Sequence, residues 1–598
     1  MAIKYLDGKR LYRVIHAGLQ KVLAREDYLN KINVFPVPDN DTGTNMAYTL
    51  TAIEEGITDK SPNQINEMSQ KIADSALDGA RGNSGVILAQ FLLGFADAIQ
   101  DKLTITTKQF SQAVEKACDY AYDALMEPRE GTILTVIKDW SEYIRNHSDR
   151  IYDFSELLHN GLERAQESLK DTPKKLAVLK KAGVVDAGAQ GFVYLLEGMQ
   201  DFVTSGKIKF YKKKETADTF VDIEAADSEI DQKYQFCTEC IVSGNNIDRK
   251  YLQRQLQSLG DSIVLAGKPE KLKVHIHTDA PQVVYDICAE QGSVTGEKAD
   301  DMIQQQKDAH TAQGDIAFVM DSACDLPDDL LNEYNIHVIP VKLGFGEEMI
   351  VDRIGLTTDE FWTKVATSPH HPKTSQPSPG DFKRQYQLLA NNFKSILSIH
   401  IPAGSSGTCQ SAITASKSLK NTEIEIVDSL NLSVGAGLVV LEAAKAARAG
   451  KSMPEVVAIA HTAVKNTKLY VGLESLEFAV KGGRVSGTIK KVADLIRMNP
   501  ILTVNAEGKL GTAGKTFGIR DPQDKLLKWV IKKLDKTRQY RFGVAYTTNH
   551  YIAEKMADKL RSLAGAENVL VTQIGPALSV HAGPGTVAIA VQEIEEYS

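Results

Sequence analysis

The chain has 598 residues, of which 43% are hydrophobic, and its 69 basic and 77 acidic side chains leave a net charge of −8. That length predicts three or four domains, and the charge balance excludes general attraction to nucleic acid or an acidic membrane. Six cysteines are too few for a disulfide scaffold, the opening MAIKYLDGKRLYRVI has no apolar core of a signal peptide, and no apolar run reaches the roughly 18–20 residues of a transmembrane segment, so a soluble, cytoplasmic protein is expected.

Residues 6–32 predict a helix, because Leu11, Val14, Ile15, Leu19, Val22 and Leu23 recur at helical spacing. The segment VFPVPDNDTGTNM (34–46) follows. Ser61-Pro62-Asn63-Gln64 has the form of a helix start, with a cap, a proline at the first position and a capping-box glutamine. Ile65, Met68, Ile72 and Ala76 continue that helix into GARGNSG (79–85), and an apolar helical pattern resumes at 86–95. Further helices are expected at 108–126, 132–145, 155–169, 174–181 and 188–203, with no strand in the first 200 residues. This predicts an all-α domain over 1–206. A lysine-rich and then acidic stretch marks a linker at 207–232. Strands at 236–242 and 272–276, with helices at 247–259 and 281–289, predict a small α+β domain over 233–311. From 315 to 598 the pattern is α/β. Strands are expected at 315–320, 338–343, 395–400 and 423–427, alternating with helices at 325–333, 358–366, 380–392, 409–419 and 433–449. More strands are expected at 458–460, 501–505, 543–546, 569–573 and 587–591. Two lobes with a crevice between them are predicted, with ligands at the carboxyl ends of the parallel strands.

In 34–46, Asp39 and Asp41 project near one another if the backbone turns at Asn40 and Gly43. Two or three hard oxygen ligands suffice for magnesium beside phosphate, and Asn33 offers another oxygen. Thr44 lies near a helix N-terminus, where phosphate is favoured. A helix-capping aspartate turn explains the same residues equally well. GARGNSG, EPREGT (127–132) and VVDAGAQG (184–191) also place glycine and polar residues at helix starts. Four such loops at one end of a helical bundle could together hold Mg–ATP. Cys237 and Cys240 have metal-ligand spacing, and His275 and His277 alternate along a predicted strand. Together they could form a tetrahedral structural zinc site, the alternative being buried thiols beside partly exposed imidazoles.

NVFPVPDNDTGTNM, DGARGNSGVILAQF, EPREGTILTV and VVDAGAQGF resemble, in order, the ATP-binding domain of dihydroxyacetone kinases, closest to the DAK2 or DhaL-like version in bacterial fatty acid kinase. The resemblance implies Asp39 and Asp41 as magnesium ligands, and Thr44, Asn45, Ser84, Gly85, Thr132 and Asp186 around the nucleotide. The family usually has glycine where this chain has Asn40, and asparagine tolerates the left-handed turn. Glycerone kinases have a third aspartate ahead of this pair, where this chain offers Asn33. The segment from FCTEC (236–240) to KVHIHT (273–278) resembles the fatty acid kinase middle domain. Cys237, His275 and His277 match its metal pattern, whereas Cys240 stands where the family commonly has a hydrophobic residue.

VMDSACDLP, TSQPSPGDF, GSSGTCQSA, EIVDS, GGRVSG and HAGPGTVAIAV resemble the fatty-acid-binding DegV family across nearly all of 315–595. Residues able to hold a fatty acid carboxylate are then Thr374, Ser375, Ser405, Ser406 and His581, with an apolar tunnel for the tail. Arg484 either closes that pocket or reaches another domain. Ser406, Asp321 and His581 do not amount to a hydrolase triad, since no GxSxG elbow accompanies them.

The resemblances imply a fatty acid kinase in which the lipid-presenting domain is fused to the kinase. It would use ATP, Mg2+ and a structural Zn2+ to make acyl phosphate from a long-chain fatty acid. Asp39, Asp41 and His581 would carry the chemistry. A second copy of the chain, an acyltransferase that uses acyl phosphate and transient contact with a membrane surface are the associations implied. A small hydroxyketone acceptor and a non-enzymatic lipid-binding regulator are the alternatives.

Overall fold

The computed structural model describes residues 2–36, 38, 40–57, 62–211, 233–310, 315–419, 422–483, 498–518 and 521–594. The chain divides into two compact units, Met1–Thr311 and Ala312–Ser598. No described helix is long and apolar enough to cross a membrane.

The first unit begins with helices only, and no strand occurs among the described residues before Phe236. The helix expected over 6–32 is two helices, Gly8–Leu23 and Glu26–Lys31. The apolar stripe ends at Leu23, and the acidic pair Glu26-Asp27 opens a new first turn, where negative charge is favoured. The predicted cap at Ser61 lies outside the described residues, and the next helix starts at Ile65. Helices Gly8–Leu23 and Ala187–Ser205 approach closely because Gly18 and Gly198 face each other's backbones. A Cβ at Gly18 would stand 2.6 Å from Leu195 Cδ1. Phe91, Phe110, Trp140, Phe154 and Phe192 meet edge to face inside the bundle.

The rest of this unit is a four-stranded antiparallel sheet with the helices Arg249–Leu256, Pro281–Ala289 and Met302–His310. Its strands are β1 (Phe236–Ser243), β2 (Gly260–Lys268), β3 (Lys271–Thr278) and β4 (Ser293–Asp301), in the order β2-β3-β1-β4. β2 and β4 add to the two strands expected. β4 (SVTGEKADD) is a polar edge without alternation, and β2 carries only a short apolar run. The β2 edge is covered by the helices: Leu265 N–H donates to Ala124 O at 3.0 Å and Gly267 N–H to Gln90 Oε1 at 2.8 Å. The sheet is thereby joined to the helical bundle rather than tethered to it.

The second unit has two lobes. The first contains β5 (Ile316–Asp321), β6 (Ile336–Ile339), β7 (Lys342–Phe345), β8 (Glu348–Val351), β9 (Lys373–Ser375), β10 (Ser395–His400) and β11 (Glu423–Asp428). A parallel sheet β11-β10-β5-β6 carries the lobe, and β8-β7-β9 form a small separate sheet. The strand expected over 338–343 therefore splits, because Pro340 cannot donate to a ladder. The second lobe contains β12 (Thr467–Gly472), β13 (Met498–Val504), β14 (Leu510–Phe517), β15 (Tyr540–Tyr546), β16 (Val569–Gln573) and β17 (Val587–Glu593), in the order β14-β13-β12-β17-β15-β16. The strand expected at 458–460 is wrong: these residues lie within helix Met453–Asn466. A Ser452–Glu455 capping box and a proline in the first turn start it, and Val456, Ala460 and Ala463 are buried at helical spacing.

Candidate functional site

In the first unit, Asn40 adopts the left-handed conformation at φ 56°, so the turn survives without glycine. The carboxylate of Asp41 does not cap helix Thr42–Gly56, which it precedes. Instead it lines a cleft of about 40 Å3 with Asn33, Asn45, Cys237, His275 and His277. The two metal motifs, distant in the sequence, thus face one space. Asp39 lies outside the described residues. Thr44 is turned inward, its hydroxyl donating to Glu26 Oε1 at 3.2 Å and accepting from Asn30 Nδ2 at 3.0 Å. It holds the helix start and lines neither cleft.

A larger cleft of about 730 Å3 adjoins Ser84, Thr132 and Asp186 on the helical side and Gly260–Ser262 of β2 on the other. That is ample for a nucleotide. Ser84 lines both clefts. Gly85 serves packing, since a Cβ there would collide with Thr49 Oγ1. Thr132 Oγ1 donates to Arg129 O at 2.7 Å. Asp186 caps helix Ala187–Ser205 by accepting from Ala189 N–H at 2.8 Å. Burial pushes its carboxyl up to about 6, against the opposing N–H groups of Ala189 and Ile133.

Cys237, His275 and His277 form a buried cluster whose candidate ligand atoms all lie within 4.8 Å of one another. The register that pairs Cys237 with His277 across β1 and β3 brings them together. The Nε2 of His275 is buried without a hydrogen-bond partner among the described residues. Burial raises the Cys237 thiol well above its ordinary range and lowers His277 to about 3. The imidazole is therefore neutral, as a ligand must be, and a cation would deprotonate the thiol. These features fit a metal ion held by one thiolate and two imidazoles. Cys240 departs from the expected ligand set. An odd spacing on a strand turns it to the opposite face, where its buried thiol meets Cys288.

In the second unit, a cavity of about 140 Å3 is lined by residues of both lobes, among them Val341, Leu432, Leu469, Leu502, Ile574 and Ala577. Its polar lining is Thr374, Gln376, Ser405, Ser406, Ser433, His581 and Thr586. Thr374 Oγ1 lies 3.2 Å from His581 Nε2. Ser405 Oγ donates to Gly508 O at 2.6 Å, and Ser406 Oγ lies 2.8 Å from Thr408 Oγ1. Ser375 is exposed and does not line the cavity, because alternation on β9 turns it away from Thr374. Gln376 also lines the cavity; it lies within TSQPSPGDF but is not among the residues expected to hold a ligand. Arg484 lies outside the described residues. Asp321 is engaged with a different histidine: its Oδ2 meets His400 Nδ1 at 3.0 Å, and His400 Nε2 meets Ser398 Oγ at 2.6 Å. That relay is wholly buried, so no substrate reaches it.

The chain thus combines an all-helical domain whose loops bring carboxylate and glycine to a polar cleft with a two-lobed α/β unit around an apolar cavity. Family models agree along the chain: residues 36–201 match the DAK2 domain, 233–309 the FakA-like middle domain of fatty acid kinase and 315–593 the DegV family. The chain is a fusion of these three family domains. It is similar to an uncharacterized protein of Staphylococcus epidermidis, 35% identical over 314 residues, covering 51% of this chain and 57% of that one. It is also similar to one of Staphylococcus aureus strain USA300, 34% identical over 324 residues, covering 52% and 59%. The chain thus spans less than two thirds of the length of these curated relatives. Among solved structures, it is similar to a fatty-acid-binding DegV family protein from Thermus thermophilus, with 29% identity, 47% and 99% coverage and a TM-score of 0.43. DegV from Bacillus subtilis, described as a fatty acid binding protein, gives 24%, 47%, 99% and 0.43.

Proposed function

We propose that the chain transfers the γ-phosphoryl group of Mg–ATP to the carboxylate of a long-chain fatty acid, forming acyl phosphate and ADP. The observation that carries this reading is the pairing, in one chain, of a polar cleft beside Asp41 and Ser84 with an apolar cavity bearing Thr374 and His581. The match of 233–309 to a fatty acid kinase middle domain supports it. The working domains are then 1–206, 233–311 and 315–598.

Asp39, Asp41 and Asn33 would hold Mg2+, which supplies neutralisation of phosphate charge. Cys237, His275 and His277 would hold Zn2+. Asn45, Ser84, Thr132 and Asp186 border the nucleotide. Thr374, Ser406 and His581 orient the fatty acid carboxylate, while the apolar walls keep the tail from water. A carboxylate is ionised near neutral pH, so its oxygen attacks the γ-phosphorus without a general base, and the β–γ bridging oxygen leaves with ADP. Phosphoryl transfer of this kind depends on alignment and charge compensation. Transfer takes place either within one chain or between two copies, and the acyl phosphate produced is chemically suited to an acyltransferase.

The test incubates purified protein with Mg–ATP and oleate, palmitate or dihydroxyacetone, trapping acyl phosphate with hydroxylamine. Acyl hydroxamate from the fatty acids is expected. ADP formed only with dihydroxyacetone, and no hydroxamate, would replace this reading with a hydroxyketone kinase. Lipid binding without turnover of any acceptor would leave a non-enzymatic lipid carrier.

A further inference from the structure

Glu239 lies between Cys237 and Cys240 on β1 and is completely buried. Its Oε1 accepts the backbone N–H of Gly82 at 2.8 Å and lies 3.2 Å from His275 Nδ1. Its Oε2 lies 3.1 Å from Arg81 Nη1, 3.2 Å from Lys273 Nζ and 3.8 Å from Lys298 Nζ. Lys298 is also paired with Asp300 at 2.7 Å. Placing a carboxylate and two lysines inside a small sheet carries a desolvation cost that an apolar cluster would avoid, so stability alone does not account for it.

The two partners of Oε1 are what distinguish the residue. Gly82, at φ +55°, begins the helix whose next residues, Asn83 and Ser84, line both clefts. His275 belongs to the Cys237–His277 cluster. A carboxylate accepting from Nδ1–H, which also lies 3.8 Å from Cys237 Sγ, leaves the lone pair on Nε2, an atom that is buried without a hydrogen-bond partner among the described residues. Carboxylates that orient metal-binding imidazoles in this way commonly govern metal affinity.

Resting on the metal and nucleotide sites proposed above, we infer that Glu239 is a positioning residue that links them. One carboxylate oxygen aims His275 at a cation and holds the glycine-rich loop through Gly82, so occupancy of the metal cluster and affinity for ATP depend on each other. Linkage of this kind is reciprocal.

The experiment measures Zn2+ affinity by competition with a chromogenic chelator. It also measures Mg–ATP affinity of the full chain with and without zinc, by fluorescent-nucleotide displacement. In the unaltered protein, zinc should change the ATP dissociation constant at least about fivefold, within the usual range of coupling. Glu239→Gln combined with Lys273→Met removes one negative and one positive charge and so limits the risk of misfolding. It should weaken zinc binding about 10–100-fold and make ATP affinity independent of zinc. Lys273→Met alone should keep the linkage, which a merely structural contribution of the ion cluster would not allow. A folded double variant with unchanged zinc affinity and intact linkage overturns the role of Glu239 and leaves the metal site standing. An unaltered protein that takes up zinc but binds ATP equally well without it also overturns the linkage. If it takes up no zinc and His275→Ala changes nothing, the metal reading falls and this inference with it.

Discussion

The two candidate sites are built from opposite materials. The cleft of the first unit, about 730 Å3, is walled by Ser84, Thr132, Asp186 and Asp261 and adjoins Asp41 and a buried Cys–His cluster. The cavity of the second unit, about 140 Å3, is lined mostly by leucine, isoleucine, valine and alanine, with five hydroxyl side chains, Gln376 and His581. One concentrates oxygen, nitrogen and sulfur groups able to hold a cation, which would in turn neutralise phosphate, and the other offers apolar walls with a few hydrogen-bonding side chains. On the proposed function, chemistry and acceptor recognition are separable by mutation, and each prediction that follows moves one side of the comparison while holding the other still.

The largest effect is expected from Asp41→Ala. Removing the carboxylate proposed to hold Mg2+ should lower acyl phosphate formation by about 10^3-fold or more, with fluorescent fatty acid binding unchanged. A variant that turns over normally would remove Asp41 from the metal site. Next is Asp186→Asn. The folded carboxyl sits at about 6 against an ordinary 3.8. This contribution to stability is thus fully present below pH 3.8 and is lost as pH rises through about 6. Asparagine keeps the cap without the buried charge. In the absence of nucleotide and metal, it should stabilise the first unit by up to about 3 kcal/mol at pH 8, at ~1.4 kcal/mol per pKa unit, and by almost nothing near pH 4. Urea melts at both values check this. Third, His581→Ala should weaken fatty acid binding about 10–100-fold, the worth of one hydrogen bond to a charged group, while binding of the matching alcohol falls less. Mg–ATP affinity should not change. The smallest effect separates the two cysteines: Cys237→Ser should reduce bound zinc sharply, whereas Cys240→Ser, on the other face of β1, should leave it as it was.

Features with a local cause were legible in the sequence. Helical spacing of Leu11, Ile15 and Leu19 located the first helix, and the asparagine turn at 40 is left-handed as its residue type allows. The facing of His275 and His277 followed from strand alternation, and the same rule, applied to Cys237 and Cys240, would have removed Cys240. Less was legible where packing or distant pairing decides. β4 is polar and is defined by its ladder to β1 rather than by its own pattern. Residues 458–460 are apolar enough for a strand, but the cap at Ser452 makes them helical. Thr44 looks like a phosphate ligand until Asn30 and Glu26 are seen to occupy it. That Asp41 faces the Cys–His cluster, and that Glu239 reaches Gly82 across 157 positions, depends on the docking of β2 against the bundle, for which no single segment carries a signature.

The most direct test of divided labour follows label from [γ-32P]ATP into organic-extractable acyl phosphate, comparing the unaltered chain with Ala577→Trp, which fills the apolar cavity from its wall. The unaltered chain should transfer label to oleate. Ala577→Trp should bind Mg–ATP with the same affinity and transfer almost none. Transfer to oleate that persists in Ala577→Trp would contradict the assignment of the acceptor to the second unit, and label released only as inorganic phosphate by both proteins would contradict the transfer itself.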